Sequence, residues 1–206
     1  MPLLAMISLS FLPGPLVIGS ISISGLMAWR ERRHIDLGRI GWILAGTIVG
    51  ATLGAWLVAG ISPERLGLLF GGMILAGVVI TALGLHLPLN RISATIAGIG
   101  AGAMGASSGI GAPVVAVLYQ RESGPRVRAT LAYIYTLASV LIALALALFG
   151  RLGSNEFGYA AMLVPGYMLG YYLSQRVTRH FNQSSTRYIV LGVSAAAALS
   201  LIYRSI

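Results

Sequence analysis

Charged residues are scarce in this sequence. Only 9% of its 206 residues are charged, whereas 57% are hydrophobic; a water-soluble domain usually carries about 25% charged residues. A surface that faces water needs charged side chains to cover it, and a surface that faces lipid needs none. We therefore predict that lipid is the main solvent of the chain, and that the chain is an all-α bundle of transmembrane helices.

Cysteine and lysine are both absent. The lack of cysteine excludes disulfides, thiolate metal sites and cysteine nucleophiles. All 14 basic residues are arginines, and with five acidic residues they give a net charge of +9. Because these arginines lie between long apolar runs, as the positive-inside rule expects, we predict no nucleic-acid partner. His34, His86 and His180 fall in predicted loops, so we expect neither a metal site nor a cofactor.

Seven uncharged runs divide the chain, and an apolar run of about 20 residues spans a bilayer as a helix. The runs cover residues 1–29, 41–63, 66–90, 92–120, 129–150, 157–175 and 188–203. Pro13-Gly14-Pro15 interrupts the first run. Because proline breaks a helix and disfavours helical geometry in the residue before it, we predict one helix over 2–12 and another over 15–29. The next two runs predict helices over 41–61 and 66–85.

The fourth run contains a stronger break. Residues 102–113 include four glycines, two serines and a proline, a composition that interrupts a helix. We predict two short helices, about 92–104 and 113–120, joined by an irregular turn within the membrane. If this run enters the membrane and returns as a hairpin, the arginines that follow it lie with those of residues 30–39 in the cytoplasm. The positive-inside rule favours this hairpin, in a multi-pass protein of the cell inner membrane.

The two halves of the chain resemble each other. Residues 14–21 resemble residues 124–131, and residues 2–5 resemble residues 113–116. The common order of such matches predicts a duplication within one domain, with repeats over 1–88 and 89–206. The predicted orientation inverts the two halves, which is the build of many secondary transporters. The first half begins where a matching hairpin should just have ended, so we expect a late or truncated start.

Glycines four residues apart recur on the predicted helices. They are Gly46, Gly50 and Gly54, Gly166 and Gly170, and Gly67 and Gly71. Small residues at this spacing let two helices approach closely in a membrane. We therefore interpret all three sets as helix-packing surfaces.

Residues 107–111 form the leading candidate site. Glycine lets a ligand approach the backbone closely, and free N–H groups together with serine hydroxyls could replace the hydration of an oxyanion. A proline that starts the next helix would add the partial positive charge of a helix amino end. The candidate substrate-binding residues are Gly105, Ser107, Ser108, Gly109, Gly111, Pro113, Arg128 and Tyr133. Each also has an ordinary interpretation: a tight helix crossing for the glycines, a topology anchor for Arg128 and simple burial for Tyr133.

The glycine-rich segment that ends at Pro113 and the arginine-rich loop that ends in His34-Ile35-Asp36 resemble the TauE/SafE family of sulfite exporter-like permeases. The resemblance covers essentially the whole chain apart from an amino-terminal hairpin. It implies a transporter, not an enzyme, whose substrate is a small anion such as sulfite, a sulfonate or a related organosulfur compound. Its partners would be the lipid bilayer and that anion, and a homo-oligomer is compatible with the sequence.

Two other functions fit parts of the sequence. The segment around Ser107 and Ser108 contains a Gly-x-Ser-like pattern, which is compatible with an intramembrane serine hydrolase that uses Ser107 or Ser108 as its nucleophile. Such a nucleophile needs a base within hydrogen-bond reach, and the only later histidine, His180, lies in an arginine-rich loop. A non-transporting membrane subunit is the third interpretation, since one glycine-rich hairpin is missing from the repeat pattern.

Overall fold

The computed structural model describes residues 12–61, 63–83, 88–119 and 124–177, together with a few positions between 192 and 203. Over this part of the chain it contains helices and no strands, which confirms the all-α prediction there. The helices are α1 (Gly14–Arg30), α2 (Ile40–Gly60), α3 (Pro63–Leu83), α4 (Arg91–Ser108), α5 (Ala112–Ala116), α6 (Pro125–Leu148) and α7 (Ser154–Val177). The predicted helix over 2–12, most of the run over 188–203, and His86 and His180 lie outside the described residues.

Proline sets the starts of several helices. α1, α5 and α6 each carry a proline in the first turn, where its fixed φ suits a helix and its missing N–H costs nothing. Gly124, just before α6, has a φ of 90°, a conformation that favours glycine. The predicted helix over 15–29 lies within α1, and those over 41–61 and 66–85 correspond to α2 and α3 with shifts of one to three residues.

Helices α2 and α4 pack in parallel, with backbone against backbone. A Cβ atom added at Gly54 would lie 2.6 Å from the carbonyl oxygen of Ala103, and one added at Gly46 or Gly50 would overlap the carbonyl of Thr95 or Ile99. The contact is mutual, because glycines of α4 meet the carbonyls of Ile43 and Thr47 in the same way. The packing role predicted for Gly46, Gly50 and Gly54 is therefore confirmed.

The corresponding prediction for Gly166 and Gly170 of α7 is wrong. Both residues are exposed, and no heavy atom of the described structure lies within 4 Å of a Cβ added at either one. Spacing alone does not say which glycine face has a neighbour. Gly67 belongs to the part of α3 whose side-chain surroundings are not described.

Helices α1 and α6 pack in antiparallel directions. Ser20 Oγ lies 3.0 Å from Ser139 Oγ, and a Cβ added at Gly25 would lie 3.7 Å from Thr136 Cγ2. Beyond the end of α1, Glu31 reaches Arg128 near the start of α6. Later residues of α1 thus contact earlier residues of α6. The loop after α1 and the start of α6 therefore lie at the same end of the bundle.

That end carries most of the described arginines, and we call it the arginine-rich end. It comprises residues 29–42, 90–92 and 124–130. At the opposite end, Arg151 binds the last turn of α2, and Gly14 lies close to Leu152 and Glu156. The two ends thus differ in charge, as a bilayer-spanning orientation requires.

Large apolar side chains point away from the bundle. Trp56 and Leu53 of α2 are 61% and 50% exposed, and Leu144 of α6 is 57% exposed. By length and composition α2 and α6 can each cross a membrane, and only 44% and 33% of their apolar windows are buried. A core helix of a water-soluble protein would bury much more of that surface, so lipid suits these faces better than water.

The α2–α4 contact gives a direct test. We expect Gly50→Ala to destabilise the protein by about 1–3 kcal/mol or more, because the new methyl group meets backbone that cannot rotate away. Thermal unfolding in detergent measures the loss. Gly166→Ala is the matched control: it makes the same change inside a helix but in open space, where it should be neutral or stabilising by up to about 1 kcal/mol. Equal stability of the two variants would contradict the proposed packing role.

Candidate functional site

The glycine-rich segment is helical for longer than predicted. α4 continues to Ser108 instead of ending near residue 104, and it stops at Gly109. Gly109 has a φ of 73°, and its N–H donates to the carbonyl of Gly105 at 2.8 Å. A left-handed glycine is a common way to end a helix, because other residues pay a steric cost there. The irregular backbone is thus shorter than predicted and covers residues 109–111, which we call the break.

The chain turns back on itself at the break. A Cβ added at Gly111 would overlap the carbonyl of Ala101, and one added at Gly100 would lie 3.1 Å from Val114. Further on, Leu118 and Tyr119 share a buried cluster with Ala94 near the start of α4. The segment after the break therefore runs back along α4 towards the arginine-rich end.

Ser107 and Ser108 lie in the last turn of α4 and not in irregular backbone. Both are fully buried. Ser107 Oγ donates to the carbonyl of Ala103 at 2.6 Å, and Ser108 Oγ donates to that of Met104 at 2.8 Å. Serine commonly satisfies its hydroxyl in this way inside a helix. The two hydroxyl protons are therefore already in use.

The backbone of the break is less well satisfied. Within the described residues, the N–H groups of Ile110 and Gly111 donate to no other group. Both residues are half-buried, and Ala112 is exposed. Most buried backbone N–H groups are paired, so two adjacent unpaired donors mark a place where water or a ligand can bind.

Both halves of the chain surround the break. Gly109 lies against Leu16 of α1, since an added Cβ would be 3.2 Å from the Leu16 Cβ. Ile110 packs with buried residues of α1 and α3. Gly105, one turn earlier in α4, faces Ile142 of α6, and Pro113 of α5 lies beside Gly77 of α3. The predicted site residues Gly105, Gly109, Gly111 and Pro113 are thus brought together where α1, α3 and α6 meet.

Of the two tyrosines of α6 that could hydrogen-bond a substrate, Tyr133 and Tyr135, the second lies at the break. Tyr135 Oη donates to the carbonyl of Ala112 at 3.0 Å, whereas Tyr133 packs beside the cluster around Ile134 and makes no hydrogen bond within the described residues. Ser139 follows Tyr135 by one helical turn and binds Ser20 of α1. Neither Ser20 nor Ser139 was predicted from the sequence, and the one signal is the four-residue spacing of Ser139 from Tyr135.

Arg128 lies at the arginine-rich end and not at the break. Its Nε is 3.5 Å from Glu31 Oε1, and the neighbouring Arg126 Nη2 is 2.8 Å from Asp36 Oδ2. The backbone N–H of Gly38 and the guanidinium of Arg126 hold the pKa of Asp36 below its usual value of 3.8. The Asp36 N–H also donates to Thr130 Oγ1 at 3.0 Å. Arg128 is therefore part of a contact between the first loop and α6.

The described side chains form neither a metal-binding cluster nor a serine–base pair at the break. In the described ranges, no group of three or more histidine, cysteine, aspartate or glutamate residues could hold a metal ion. The hydroxyls of Ser107 and Ser108 bind backbone carbonyls and no described carboxylate or imidazole. His180, the candidate base of a hydrolase, lies outside the described residues.

Comparison with known proteins identifies the family. Residues 1–201 match the sulfite exporter TauE/SafE family, which confirms the resemblance seen in the sequence. No curated protein and no solved structure shows a significant match to the chain. With an all-helical fold, outward-facing apolar side chains and a break between its helices, the chain belongs to the TauE/SafE family of membrane transporters for sulfur-containing anions.

Proposed function

We propose that this protein is a multi-pass permease of the cell inner membrane that binds its anion at the break between α4 and α5. Sulfite, a sulfonate or a related organosulfur anion is the substrate. The observation that carries the proposal is a pair of backbone N–H groups, those of Ile110 and Gly111, that have no acceptor among the described residues. An oxyanion supplies acceptors for such donors.

The path of the chain supports a re-entrant hairpin. The start of α4 and the residues after α5 both reach the arginine-rich end, so α4 and α5 together enter and leave the membrane on one side. Non-helical backbone at membrane depth is stable only when it is buried in protein or lines a wet cavity. The half-buried break fits the second case, and its donors would replace part of the hydration that the anion loses.

The donors at this site come from the backbone and from Tyr135. Because the hydroxyls of Ser107 and Ser108 already serve helix carbonyls, we assign these serines to packing behind the site. Gly109 and Gly111 let the backbone turn and approach α4 closely, and Pro113 begins the returning helix. Tyr135 can turn its hydroxyl from the Ala112 carbonyl to an anion bound beside it.

The packing of α1 on α6 supports inverted repeats. The sequence match of residues 14–21 with residues 124–131 is an offset of 110, under which Gly25 corresponds to Tyr135. Two helices related by a two-fold axis in the membrane plane must cross where equivalent residues meet. A Cβ added at Gly25 would lie 3.7 Å from Cγ2 of Thr136, the neighbour of Tyr135, and this position of the crossing supports the proposed repeat. Transporters of this build bind their substrate where the halves meet.

The contacts at the two ends suggest how access alternates. At the arginine-rich end, Asp36 and Glu31 bind Arg126 and Arg128 of α6. At the opposite end, Arg151 Nη2 donates to the carbonyl of Val58 at 2.6 Å and to that of Ala59 at 3.1 Å. Each contact joins residues of the first half to residues of the second. Exposed ion pairs contribute only about 0–1 kcal/mol each, so they can open and re-form during a transport cycle.

Tyr135 provides the sharpest test of the site. We expect Tyr135→Phe to lower the initial flux of labelled sulfite into proteoliposomes by about 2–10-fold, which corresponds to the loss of one hydrogen bond of about 0.5–1.5 kcal/mol. Tyr133→Phe is the matched control, since it removes a hydroxyl two residues away that binds no described group. Ser107→Ala and Ser108→Ala should keep more than half of the flux. Normal flux in Tyr135→Phe, or loss of flux in folded serine variants, would contradict this assignment.

The ion pair at the arginine-rich end gives a second test. We expect Asp36→Arg and Arg126→Asp each to change sulfite flux by about 2–5-fold, and the double variant to restore it, because the exchanged charges can pair again. Arg33→Asp is the control: it reverses an exposed charge in the same loop, and Asp36→Arg should not rescue it. Additive effects in the exchanged pair would show that the contact has no part in transport.

The lowered pKa of Asp36 predicts how this contact responds to pH. A carboxyl whose pKa is depressed by folding stabilises the structure above its unfolded pKa, and the effect is lost as the pH falls through the folded value. The Asp36–Arg126 contact should therefore remain intact above about pH 5. Asp36→Asn should leave the shape of the flux-against-pH profile unchanged above that value, and a shift of the profile there would contradict the predicted direction.

A further inference from the structure

Two arginines at the arginine-rich end lie over tryptophan rings at cation–π distance. Arg32 Cζ lies 5.2 Å from the ring centroid of Trp29, and Arg91 Cζ lies 5.6 Å from that of Trp42. The two tryptophans are 68% and 45% exposed. An exposed indole is costly in water but is well placed at the level of lipid headgroups, where one side of the ring is apolar and the other is wet.

The described residues at this end do not balance its charge. Its described residues include seven arginines against two carboxylates, a formal charge of +5, and both carboxylates already bind Arg126 and Arg128. The arginines without a described carboxylate partner are Arg30, Arg32, Arg33, Arg39 and Arg91, and all of them are exposed. At the opposite end, Arg151 and Glu156 are the charged residues whose side chains are described, and their charges cancel.

From these two observations we propose that the Arg32–Trp29 and Arg91–Trp42 pairs bind anionic phospholipid headgroups of the leaflet at the arginine-rich end. A guanidinium over an indole ring still has N–H groups to donate, and two of them can form parallel hydrogen bonds to a phosphodiester. The ring beneath it lies against the first carbons of the acyl chains. The uncompensated positive charge selects an anionic lipid over a zwitterionic one, because clustered juxtamembrane cations attract an anionic leaflet.

The second pair has a structural consequence. Trp42 belongs to the first turn of α2, and Arg91 is the first residue of α4. These are the two helices that meet through glycine backbone. A headgroup bound by Arg91 above Trp42 would contact the first turns of both α2 and α4. Bound lipid should therefore stabilise the packing of these two helices. This inference does not depend on which anion the protein transports.

The test compares three probes on the purified full-length chain in neutral detergent: phosphatidylglycerol, phosphatidylcholine and inorganic phosphate. We expect phosphatidylglycerol to appear as bound adducts in native mass spectrometry and to raise the melting temperature, as any ligand of the folded state does. Phosphatidylcholine and phosphate should do neither at equal concentration. Equal stabilisation by phosphatidylcholine would overturn the charge selection, and equal stabilisation by phosphate would place a free-anion site here instead of a lipid site.

Variants separate the arginine–tryptophan pairs from net charge. The double variant Arg32→Gln/Arg91→Gln should lose at least about half of the phosphatidylglycerol adducts and the matching part of the stabilisation. Arg126→Gln/Arg128→Gln removes the same charge from the same end but touches arginines that are already ion-paired, so it should keep most adducts. Equal loss in both variants would overturn the proposal. If Arg32→Gln/Arg91→Gln fails to fold, Arg32→Lys/Arg91→Lys keeps the charge and removes the planar guanidinium, and unchanged binding there would also overturn it.

Discussion

The close parallel contact between α2 and α4 fixes the position of everything else in the site. Side chains are absent from this contact at Gly46, Gly50, Gly54, Gly98 and Gly102, and the carbonyls of each helix occupy the space that a Cβ would need on the other. In a membrane, where lipid competes for apolar surface, such close packing is a main source of helix association. The contact extends to Ala106 of α4, which is three residues before the helix is interrupted at Gly109.

The break contains two adjacent backbone N–H groups, those of Ile110 and Gly111, that have no acceptor among the described residues. Gly109 ends α4 in a conformation that suits glycine, and Gly111 brings the returning chain against Ala101. Between the two, Ile110 anchors the turn in an apolar cluster of α1 and α3. The result is a short stretch of half-buried polar backbone within an apolar frame, to which both halves of the chain contribute. That combination suits a transporter, which must bind its anion well enough to strip its water and weakly enough to release it.

Much of this architecture could be predicted from the sequence. Apolar runs and prolines located α1, α2 and α3 closely, and the glycine-rich segment identified the family and the break. The end of α4 could not be predicted, because the glycine and serine residues before Gly109 have low helix propensity and their packing against neighbouring helices is not visible in the sequence. Tyr135 and Tyr133 lie on different sides of α6, and the sequence alone does not say which side faces the break. Likewise, the partner of Arg128 and the open face at Gly166 depend on which helices are neighbours, and a single sequence does not record that.

Amide hydrogen exchange at Ile110 and Gly111 tests the central claim most directly, since it reports on the unpaired N–H groups themselves. In detergent or nanodiscs without substrate, these two amides should exchange rapidly, while those in the middle of α4 stay protected. Sulfite should slow their exchange, and an equal concentration of chloride should not. Amides that are protected without any anion, or that exchange at the same rate with and without sulfite and the organosulfur anions, would contradict an anion site at the break.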